Sequence, residues 1–341
     1  MEMNELPSHP TLFGLSGSKG AAEGTMPYVG IATFLKLPFV SPAQAGDYDF
    51  LIVGVPYDEG TSNRPGARFG PRAVRNASTL YSYEGSAELF DVERGETILA
   101  GARIGDLGDV VIGPLEAEDN RRRMAEAAAL ILEAGAVPVG IGGDHSVTAS
   151  LLTGFAAQNR RPYLVHLDTH MDYDSYLAPH AHGTPVRRSV EQGLVSGVTQ
   201  AGIRGLNSGR ADWEQARGQG VEVITAATWR EQGPDPILSR VPAGEPVYLS
   251  IDVDVFDPSI APGTGTPEPG GMDYPAVRKL VREISRQNPI TGIDLVEVNP
   301  AYDHAETTAI LAARVLLDTM AAAWDSRKAG AGGAGGRAQT V

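Results

Sequence analysis

The sequence predicts an α/β fold in which a mostly parallel β-sheet is covered by helices on both faces. Short apolar runs alternate along the chain with stretches of helical periodicity. Apolar runs of this kind, separated by helices, are typical of strands in βα units that are buried on both faces. No linker, composition break or internal repeat interrupts residues 45–324. We therefore expect a single main domain.

Each predicted element has a local reason. The helix over about residues 118–133 has Met124, Ala128 and Ile131 on its apolar side, and Gly135 follows as a stop. A second helix, 307–324, opens after Asp303-His-Ala-Glu306, which has the spacing of a capping box. The predicted strands are the apolar runs 50–55, 137–141, 163–167, 199–203, 221–224, 247–251 and 290–298.

The two ends of the chain differ from its middle. We expect residues 1–44 to be a partly packed N-terminal extension, 45–326 to be the main domain, and 327–341 to be a flexible Gly/Ala tail. The N-terminus has no basic segment followed by an apolar stretch, so no signal peptide is expected. No run of 18 apolar residues predicts a membrane span. A cytoplasmic protein is the expectation.

The composition excludes several classes of function. The chain has 28 Lys and Arg against 42 Asp and Glu, so its formal net charge is −14. Nucleic acids and anionic membranes need a basic surface, so neither is an expected partner. The chain has no Cys, which excludes disulfides, thiolate zinc sites, iron–sulfur clusters and cysteine nucleophiles. Any metal must therefore be held by His and carboxylate side chains.

Acidic and His residues follow three of the predicted strands. Ligands of α/β sheets bind at the carboxyl ends of the strands. Alternate residues of an extended chain project to one face, so Asp168, His170 and Asp172 can face a common site, and so can Asp252 and Asp254. The three runs are Gly142-Gly-Asp-His-Ser146, Asp168-Thr-His-Met-Asp172 and Asp252-Val-Asp254.

These runs predict a site for two metal ions. Four carboxylates match two divalent cations, and bridging carboxylates hold such cations about 3.5–4 Å apart. Oxygen-rich ligation with some imidazole suits Mn²⁺, Ni²⁺ or Fe²⁺ more than structural zinc. Any one run could be an ordinary turn or cap, but burying two carboxylates at a strand end without a cation is costly. The potential ligands are His145, Asp168, His170, Asp172, Asp252 and Asp254.

Over about residues 45–324 the chain resembles the ureohydrolases, the family of arginase, agmatinase and guanidinobutyrase. The resemblance rests on the order and spacing of the three runs above. It continues through Ser250-Ile-Asp-Val-Asp-Val-Phe-Asp-Pro258 into Ala261-Pro-Gly-Thr-Gly-Thr-Pro267. The earlier blocks Gly54-Val-Pro-Tyr-Asp58 and Arg64-Pro-Gly-Ala-Arg-Phe-Gly-Pro71 look like the agmatinase branch.

The resemblance implies a three-layer α/β/α arginase-like fold with a mostly parallel eight-stranded sheet and two metal ions, usually Mn²⁺. It implies that hydroxide, held by a hydrogen bond to Asp172, attacks the guanidinium carbon and that urea and an amine are released. Residues 45–326 would then be a ureohydrolase catalytic domain. One ion would take His145, Asp168, Asp172 and Asp252, and the other would take Asp168, His170, Asp252 and Asp254.

Two further residues gain catalytic roles from the resemblance. Glu297 aligns with the acidic residue that receives the guanidinium, and a carboxylate suits this role because it pairs with guanidinium bidentately. His182 matches a His that relays a proton to the leaving amine, for which a side chain with a pKa of about 6.5 is suited. His180 competes for this role, and His166 is predicted to be a packed residue of the sheet.

The loop of residues 173–181 departs from the arginase pattern, and in this family it helps to select the substrate. It lacks the polar run that binds the carboxylate and amine of an amino acid, so arginine is not expected. Tyr173, Asp174 and Tyr176 suit a cationic or compact group, and we predict that both rings contact the substrate. The alternative is that both rings pack against a neighbouring loop.

The expected substrate is a small cationic guanidino compound, with agmatine first. One alternative is 4-guanidinobutyrate, which is disfavoured because the loop has no Arg or Lys, although Arg187 and Arg188 follow His182. Another is the same chemistry with Ni²⁺ on guanidine, an alkylguanidine or a biguanide such as metformin. Residues 31–38 resemble N-terminal extensions of agmatinase-like proteins, some of which use nickel on such guanidines.

Two other classes of function remain open. A two-metal phosphoesterase or amide deacetylase would need cationic anchors, and no glycine-rich phosphate loop is visible. A non-catalytic or partner-dependent subunit of a hetero-oligomer would normally have lost ligands, whereas this chain retains all six together with Glu297 and His182. The family resemblance implies a trimer or hexamer, with or without a paralogous subunit.

Overall fold

The computed structural model describes residues 26–82 and 86–335. Its strands are β1 Phe50–Gly54, β2 Leu89–Asp91, β3 Glu96–Ile98, β4 Ile104–Asp109, β5 Val137–Ile141, β6 Tyr163–Leu167, β7 Gly197–Ile203, β8 Val221–Thr225, β9 Val247–Asp252 and β10 Ile290–Val296. Its α-helices are α1 Gly70–Ser78, α2 Ala117–Glu133, α3 Val147–Ala157, α4 Pro185–Glu191, α5 Arg210–Gly218, α6 Ala226–Gln232, α7 Asp235–Leu238, α8 Tyr274–Gln287 and α9 Thr307–Gly335.

Eight of the strands form one sheet in the order β4-β1-β5-β10-β9-β6-β7-β8, and every pairing in it is parallel. Strands β2 and β3 pair with each other in a separate antiparallel hairpin. The predicted parallel eight-stranded sheet is confirmed. Helices separate most of its consecutive strands, as parallel pairing requires a crossover connection.

The sheet has a hydrophobic core on each face, which makes three layers. One core contains Val74 of α1, Leu280 of α8 and Leu316 of α9. The other contains Met124 of α2 and Leu152 of α3. Central strands therefore bury both faces, and all five residues of β1, β5 and β6 are buried. This double burial explains why the strands could be predicted as continuous apolar runs.

The carboxyl ends of four central strands meet at one edge of the sheet. In chain order β5 is followed by β6, but in the sheet β10 and β9 lie between them. Strands β9 and β10, which come later in the chain, therefore lie between β5 and β6 in the sheet. Such a point in an open α/β sheet is where ligands bind. All three acidic runs follow strands of this group.

Strand β4 was not predicted from the sequence. Its run Ile104-Gly-Asp-Leu-Gly-Asp109 has little apolar character and lies at the edge of the sheet, where it pairs with β1 on one side and Asp106 forms an isolated bridge with Phe39 on the other. Its buried Asp106 is held by Arg75 of α1, with Nε 2.8 Å and Nη2 2.9 Å from the two carboxylate oxygens. An ion pair replaces apolar side chains here, so the hydrophobic pattern gave no signal.

Helix α9 differs from the prediction at both ends. Asp303 caps it by accepting the backbone N–H groups of Thr308 and Ala309, each at 2.9 Å. Glu306 does not complete the predicted capping box, because it accepts a hydrogen bond from Asn76 instead. The helix continues to Gly335 rather than ending near residue 324, so part of the expected flexible tail 327–341 is helical.

The stretch His304–Lys328, which includes most of α9, is long and apolar enough by length and composition to cross a membrane. However, 72% of its most apolar 18-residue window is buried inside the protein. The helix packs on α1, α8 and β10. A core helix meets the same length and composition criteria, so this finding is weak evidence for a membrane span.

Before β1 the chain packs onto the main domain. Phe34 and Leu35 are fully buried, and their backbone N–H groups donate to Asp106 Oδ2 at 2.9 Å and to Ser78 Oγ at 2.8 Å. Residues 1–25 of the predicted extension and 336–341 of the predicted tail lie outside the described residues. The division of the chain at residues 44 and 326 stays a prediction.

Candidate metal and substrate site

The Gly142-Gly-Asp-His-Ser146 run turns the chain sharply from β5 into α3. A Cβ on Gly143 would lie 1.8 Å from the carbonyl oxygen of Tyr57, so only glycine fits there. Asp144 is fully buried and accepts the backbone N–H groups of Gly60 at 2.8 Å and Ser146 at 3.0 Å. It thereby ties the loop after β1 to the turn that presents His145.

His145 stands at the centre of the acidic residues. Its Nδ1 lies 2.9 Å from Asp168 Oδ2, 3.1 Å from Asp172 Oδ2 and 3.1 Å from Asp252 Oδ2. Its Nε2 lies 2.9 Å from Ser250 Oγ, which fixes the orientation of the ring from the opposite side. The three predicted strand ends therefore converge, as the sequence predicted.

The β6 run supplies the rest of the cluster. His170 Nδ1 lies 3.2 Å from Asp254 Oδ2 and 3.6 Å from Asp168 Oδ1. His166 Nε2 lies 3.1 Å from Asp168 Oδ2, and its ring stacks on His145 with the centroids 4.7 Å apart. His166 is therefore a buried strand residue, as predicted, but it also faces the acidic cluster. The alternation that groups residues 168, 170 and 172 extends back to 166.

The donor set fits two cations. Single ligand atoms of His145, His166, Asp168 and Asp172 lie within 4.8 Å of one another, as do those of Asp168, His170 and Asp254. Asp168 is common to both groups. The buried Oδ2 atoms of Asp168 and Asp172 make no hydrogen bond with the residues that the structure describes. Unpaired carboxylate oxygens that face imidazole nitrogens in a buried space are a natural set of divalent-metal ligands.

The pKa values of His145 and Asp252 are shifted because charged groups are packed closely together in the buried cluster. Burial lowers the pKa of His145, but the close carboxylates of Asp168 and Asp252 outweigh it and raise the pKa well above its usual value. Burial, followed by the charges of Asp254 and Asp168, raises the pKa of Asp252 well above its usual value. The carboxylates thus repel one another, and bound cations would relieve that repulsion.

His182 and Glu297 form a second group beside the metal ligands. Glu297 Oε1 accepts the backbone N–H of His145 at 3.0 Å and lies 3.0 Å from His182 Nδ1. Burial lowers the pKa of His182, but the hydrogen bond to Glu297 and its charge outweigh this and raise the pKa to about 9. The pair therefore stabilises the fold fully below the unfolded pKa of about 6.5, and this contribution is lost as the pH rises through about 9.

Ser62, which the sequence reasoning missed, contacts the other side of the His182 ring. Its Oγ lies 2.8 Å from His182 Nε2, and its backbone N–H donates to the same nitrogen at 3.2 Å. The backbone N–H can only donate, which suits neutral imidazole, whereas the hydroxyl can also accept from imidazolium. Ser62 can therefore serve both protonation states of a group that moves protons.

We predict that Ser62→Ala lowers the pKa of His182. The variant keeps the backbone donor, which favours neutral imidazole, and loses the hydroxyl acceptor that favours the cation. An NMR titration of the His182 ring, assigned with His182→Asn, measures the change. Ser62→Thr keeps the hydroxyl and should stay near the wild-type pKa. An unchanged or raised pKa in Ser62→Ala would contradict the assigned hydrogen bond.

A cavity of about 50 Å³ opens onto these groups. Asp174 and Tyr176 contribute to its wall, whereas Tyr173 does not. Tyr173 is fully buried elsewhere, where its hydroxyl donates to Gln219. The prediction that Tyr173 contacts the substrate is therefore corrected. The remaining lining residues are Ser62, His145, His170, Asp172, Leu177, His182, Gly183, Asn207, Asp252, Thr266 and Glu297.

The competing candidate for the proton relay lies elsewhere. His180 is exposed and lines a different groove, between α2 and α3. Partial desolvation by neighbouring atoms, followed by the charges of Arg121 and Arg188, lowers its pKa. His182 rather than His180 therefore faces Glu297 and the cavity.

Two residues of the site adopt left-handed backbone conformations. Asp172 has φ +51° and Glu297 has φ +64°. Such conformations are uncommon for residues other than glycine, asparagine and aspartate, and they cluster at functional sites. Both residues line the cavity.

A parallel sheet covered on both faces, with buried His and Asp clusters at the carboxyl ends of its central strands, defines an α/β protein with a two-metal donor set. Residues 48–322 match the Arginase family. The chain belongs to this family, on its agmatinase-like branch. It is therefore a hydrolase that acts on guanidino C–N bonds.

Individual relatives share most of their length with this chain. Proclavaminate amidinohydrolase of Streptomyces clavuligerus is 39% identical over 296 residues, which cover 84% of this chain and 91% of that protein. Guanidinopropionase of Pseudomonas aeruginosa is 39% identical over 305 residues, which cover 86% of this chain and 92% of that protein. The X-ray crystal structure of a hypothetical agmatinase from Burkholderia thailandensis has a TM-score of 0.79 at 32% identity and covers 92% of this chain and 99% of its own.

Proposed function

We propose that this chain hydrolyses a small cationic guanidino compound to urea and an amine, as an agmatinase does, with agmatine as the first candidate substrate. Glu297 carries the proposal. Its Oε1 is engaged by His182 and by the backbone of His145, whereas its Oε2 has no hydrogen-bond partner among the described residues. Because its side chain lines the cavity, that oxygen is available to a guanidinium, whose N–H donors pair well with carboxylates.

The residues around Glu297 have complementary tasks in this proposal. Glu297 orients the guanidinium carbon towards the acidic cluster, and His182 delivers a proton to the leaving amine. Ser62 keeps the His182 ring in place during that transfer. The six predicted ligands would hold two divalent ions, Mn²⁺ first and Ni²⁺ as the alternative, and these ions acidify water and balance the buried carboxylates.

The cavity also bears on the choice of substrate. Among the described residues, neither Lys nor Arg lines it. Arg187 and Arg188, which kept guanidinobutyrate open in the sequence, both pair with Glu191. Away from the metal ligands, an anionic tail would therefore meet the carboxylates of Asp174 and Glu297 with no Lys or Arg beside them, which favours agmatine or a compact guanidine over 4-guanidinobutyrate. The small cavity volume of about 50 Å³ keeps guanidine, alkylguanidines and biguanides such as metformin as alternatives.

A urea-release assay tests this function. The purified protein is loaded separately with Mn²⁺ and Ni²⁺ and is given agmatine, 4-guanidinobutyrate, guanidine, methylguanidine, metformin and arginine. We expect urea from cationic substrates, with agmatine first and arginine inactive. His182→Asn, which lacks the proposed proton donor, is the matched control and measures the background of urea that does not depend on this residue.

Absence of urea from every compound, in protein shown by elemental analysis to hold two ions, would reject the proposed function. It would favour the reading of the chain as a non-catalytic subunit. The ion that supports the higher kcat/KM decides between Mn²⁺ and Ni²⁺. A cytoplasmic location remains a proposal, and so does assembly as a trimer or hexamer. A size measurement of the metal-loaded protein in solution tests the assembly.

A further inference from the structure

One acidic residue of the cavity wall is explained neither by the predicted metal ligands nor by guanidinium binding at Glu297. Asp174 has only 2% of its surface exposed and lines the cavity. Its Oδ2 accepts the phenol of Tyr176 at 3.3 Å. Its Oδ1 is buried and makes no hydrogen bond with the part of the chain that the structure describes. A buried carboxylate oxygen without a hydrogen bond costs free energy, so a ligand that donates a hydrogen bond to Oδ1 would be favoured there.

The charges around Asp174 favour a cation as that donor. In the metal-loaded protein the ions would offset Asp172 and Asp252, so Asp174 and Glu297 carry the remaining negative charge of the lining, and no described Lys or Arg lies there. A carboxylate-lined cleft of low dielectric concentrates cations and repels anions. A neutral donor would satisfy the hydrogen bond only, whereas an ammonium group would also offset the negative charge.

The local structure keeps Asp174 in place. Its backbone N–H donates to the carbonyl of Gly183 at 3.0 Å. A Cβ on Gly183 would lie 2.8 Å from Asp174 Oδ2, so the absence of a side chain there makes room for the carboxylate. Tyr176 is 65% exposed at the wall of the cavity, and besides holding Oδ2 its ring offers a face to a cation.

We propose that Asp174, supported by Tyr176, binds a second cationic group of the substrate. The substrate class is then a guanidine that carries an ammonium group at its other end, with the guanidinium at Glu297 and the ammonium at Asp174. The proposal rests on the proposed guanidino hydrolase function and deepens it. It also separates this chain from relatives whose names denote guanidino acids, such as guanidinopropionase, because a carboxylate tail would face Asp174.

The test compares substrates that differ only in the charge of the tail. The metal-loaded enzyme is assayed for urea release with agmatine, butylguanidine and 4-guanidinobutyrate, which have cationic, neutral and anionic ends. We expect kcat/KM for agmatine to exceed that for butylguanidine by about ten-fold or more, with 4-guanidinobutyrate lowest. In Asp174→Asn the ratio of kcat/KM for agmatine to kcat/KM for butylguanidine should fall by about ten-fold, chiefly because KM for agmatine rises.

Asp273→Asn is the matched control, because Asp273 caps α8, asparagine caps helices equally well, and Asp273 does not line the cavity. Its ratio of kcat/KM for agmatine to kcat/KM for butylguanidine should equal that of the wild type. Tyr176→Ala gives a second test at an exposed position and should also raise KM for agmatine selectively. An equal loss for agmatine and butylguanidine in Asp174→Asn would show a structural role and overturn the proposal.

The outcomes separate the two proposals. Urea from butylguanidine or 4-guanidinobutyrate at rates equal to or above those from agmatine would overturn the role of Asp174 while leaving the guanidino hydrolase function intact. No urea from any of the three compounds or from guanidine, with two ions bound, would overturn both. A changed ratio in Asp174→Asn together with an unchanged ratio in Asp273→Asn supports the ammonium site.

Discussion

Replacement of Glu297 by alanine is expected to lower kcat/KM for guanidino substrates by about 10³-fold, or about 4 kcal/mol, while both ions stay bound. The physical reason is that Glu297 offers its Oε2 to the guanidinium and also holds His182 through its Oε1. It is not among the six predicted ligands. The measurements are urea release and metal content by elemental analysis on the same protein sample.

Glu283→Gln is the control for this variant, since Glu283 lies on α8 and pairs with Arg286 away from the cavity. It should keep wild-type turnover. Loss of both ions from Glu297→Ala would mean that Glu297 acts on the metal ligands, through His145, rather than on the substrate. Retention of more than a tenth of the wild-type kcat/KM would exclude it as the guanidinium anchor.

Asp168→Asn is expected to empty the metal site and abolish turnover. Asp168 is fully buried and is common to both groups of ligand atoms, and His145, His166 and His170 lie within 3.6 Å of it. An amide lacks the charge that one shared carboxylate gives to both ions. Thermal unfolding measures a second effect, because ions that bind only the folded chain raise its melting temperature.

The wild type should melt at a clearly lower temperature after chelation, and Asp168→Asn should show no difference between added metal and chelator. Asp273→Asn is a suitable control because Asp273 caps α8 and asparagine caps helices equally well. It should keep the metal-dependent increase in melting temperature. Two tightly bound ions in Asp168→Asn would contradict its predicted position between them.

The sheet and the metal ligands were predictable because regular backbone repeats its geometry. Strands such as β5 and β6 are buried on both faces, so their apolar runs gave the observed bounds. The alternation of side chains along an extended chain then grouped Asp168, His170 and Asp172. The same alternation would have included His166, whose place facing Asp168 was overlooked because a buried sheet His is usually a packing residue.

The edge of the sheet was not predictable in the same way. Strand β4 contributes Asp106, which Arg75 of α1 neutralises, so neither residue appears as part of an apolar pattern. The ion pair joins residues 31 positions apart. Only the packing of α1 against the sheet brings the two charges together.

Side chains in the loops were decided by the tertiary structure. Tyr173 is buried against Gln219 of a distant segment, while Asp174 and Tyr176 line the cavity. Ser62 reaches His182 across 120 residues of sequence because Asp144 anchors the loop that carries it.

The sequence by itself determined the parallel sheet, its family and the six His and Asp residues that converge at the ends of its central strands, because strand periodicity and motif spacing are local properties of the chain. The tertiary structure decided which loop side chains enter the cavity, that Glu297 keeps one oxygen free, and that Asp174 is buried without a partner for Oδ1. Those properties depend on contacts between distant segments, whose directions no local period specifies.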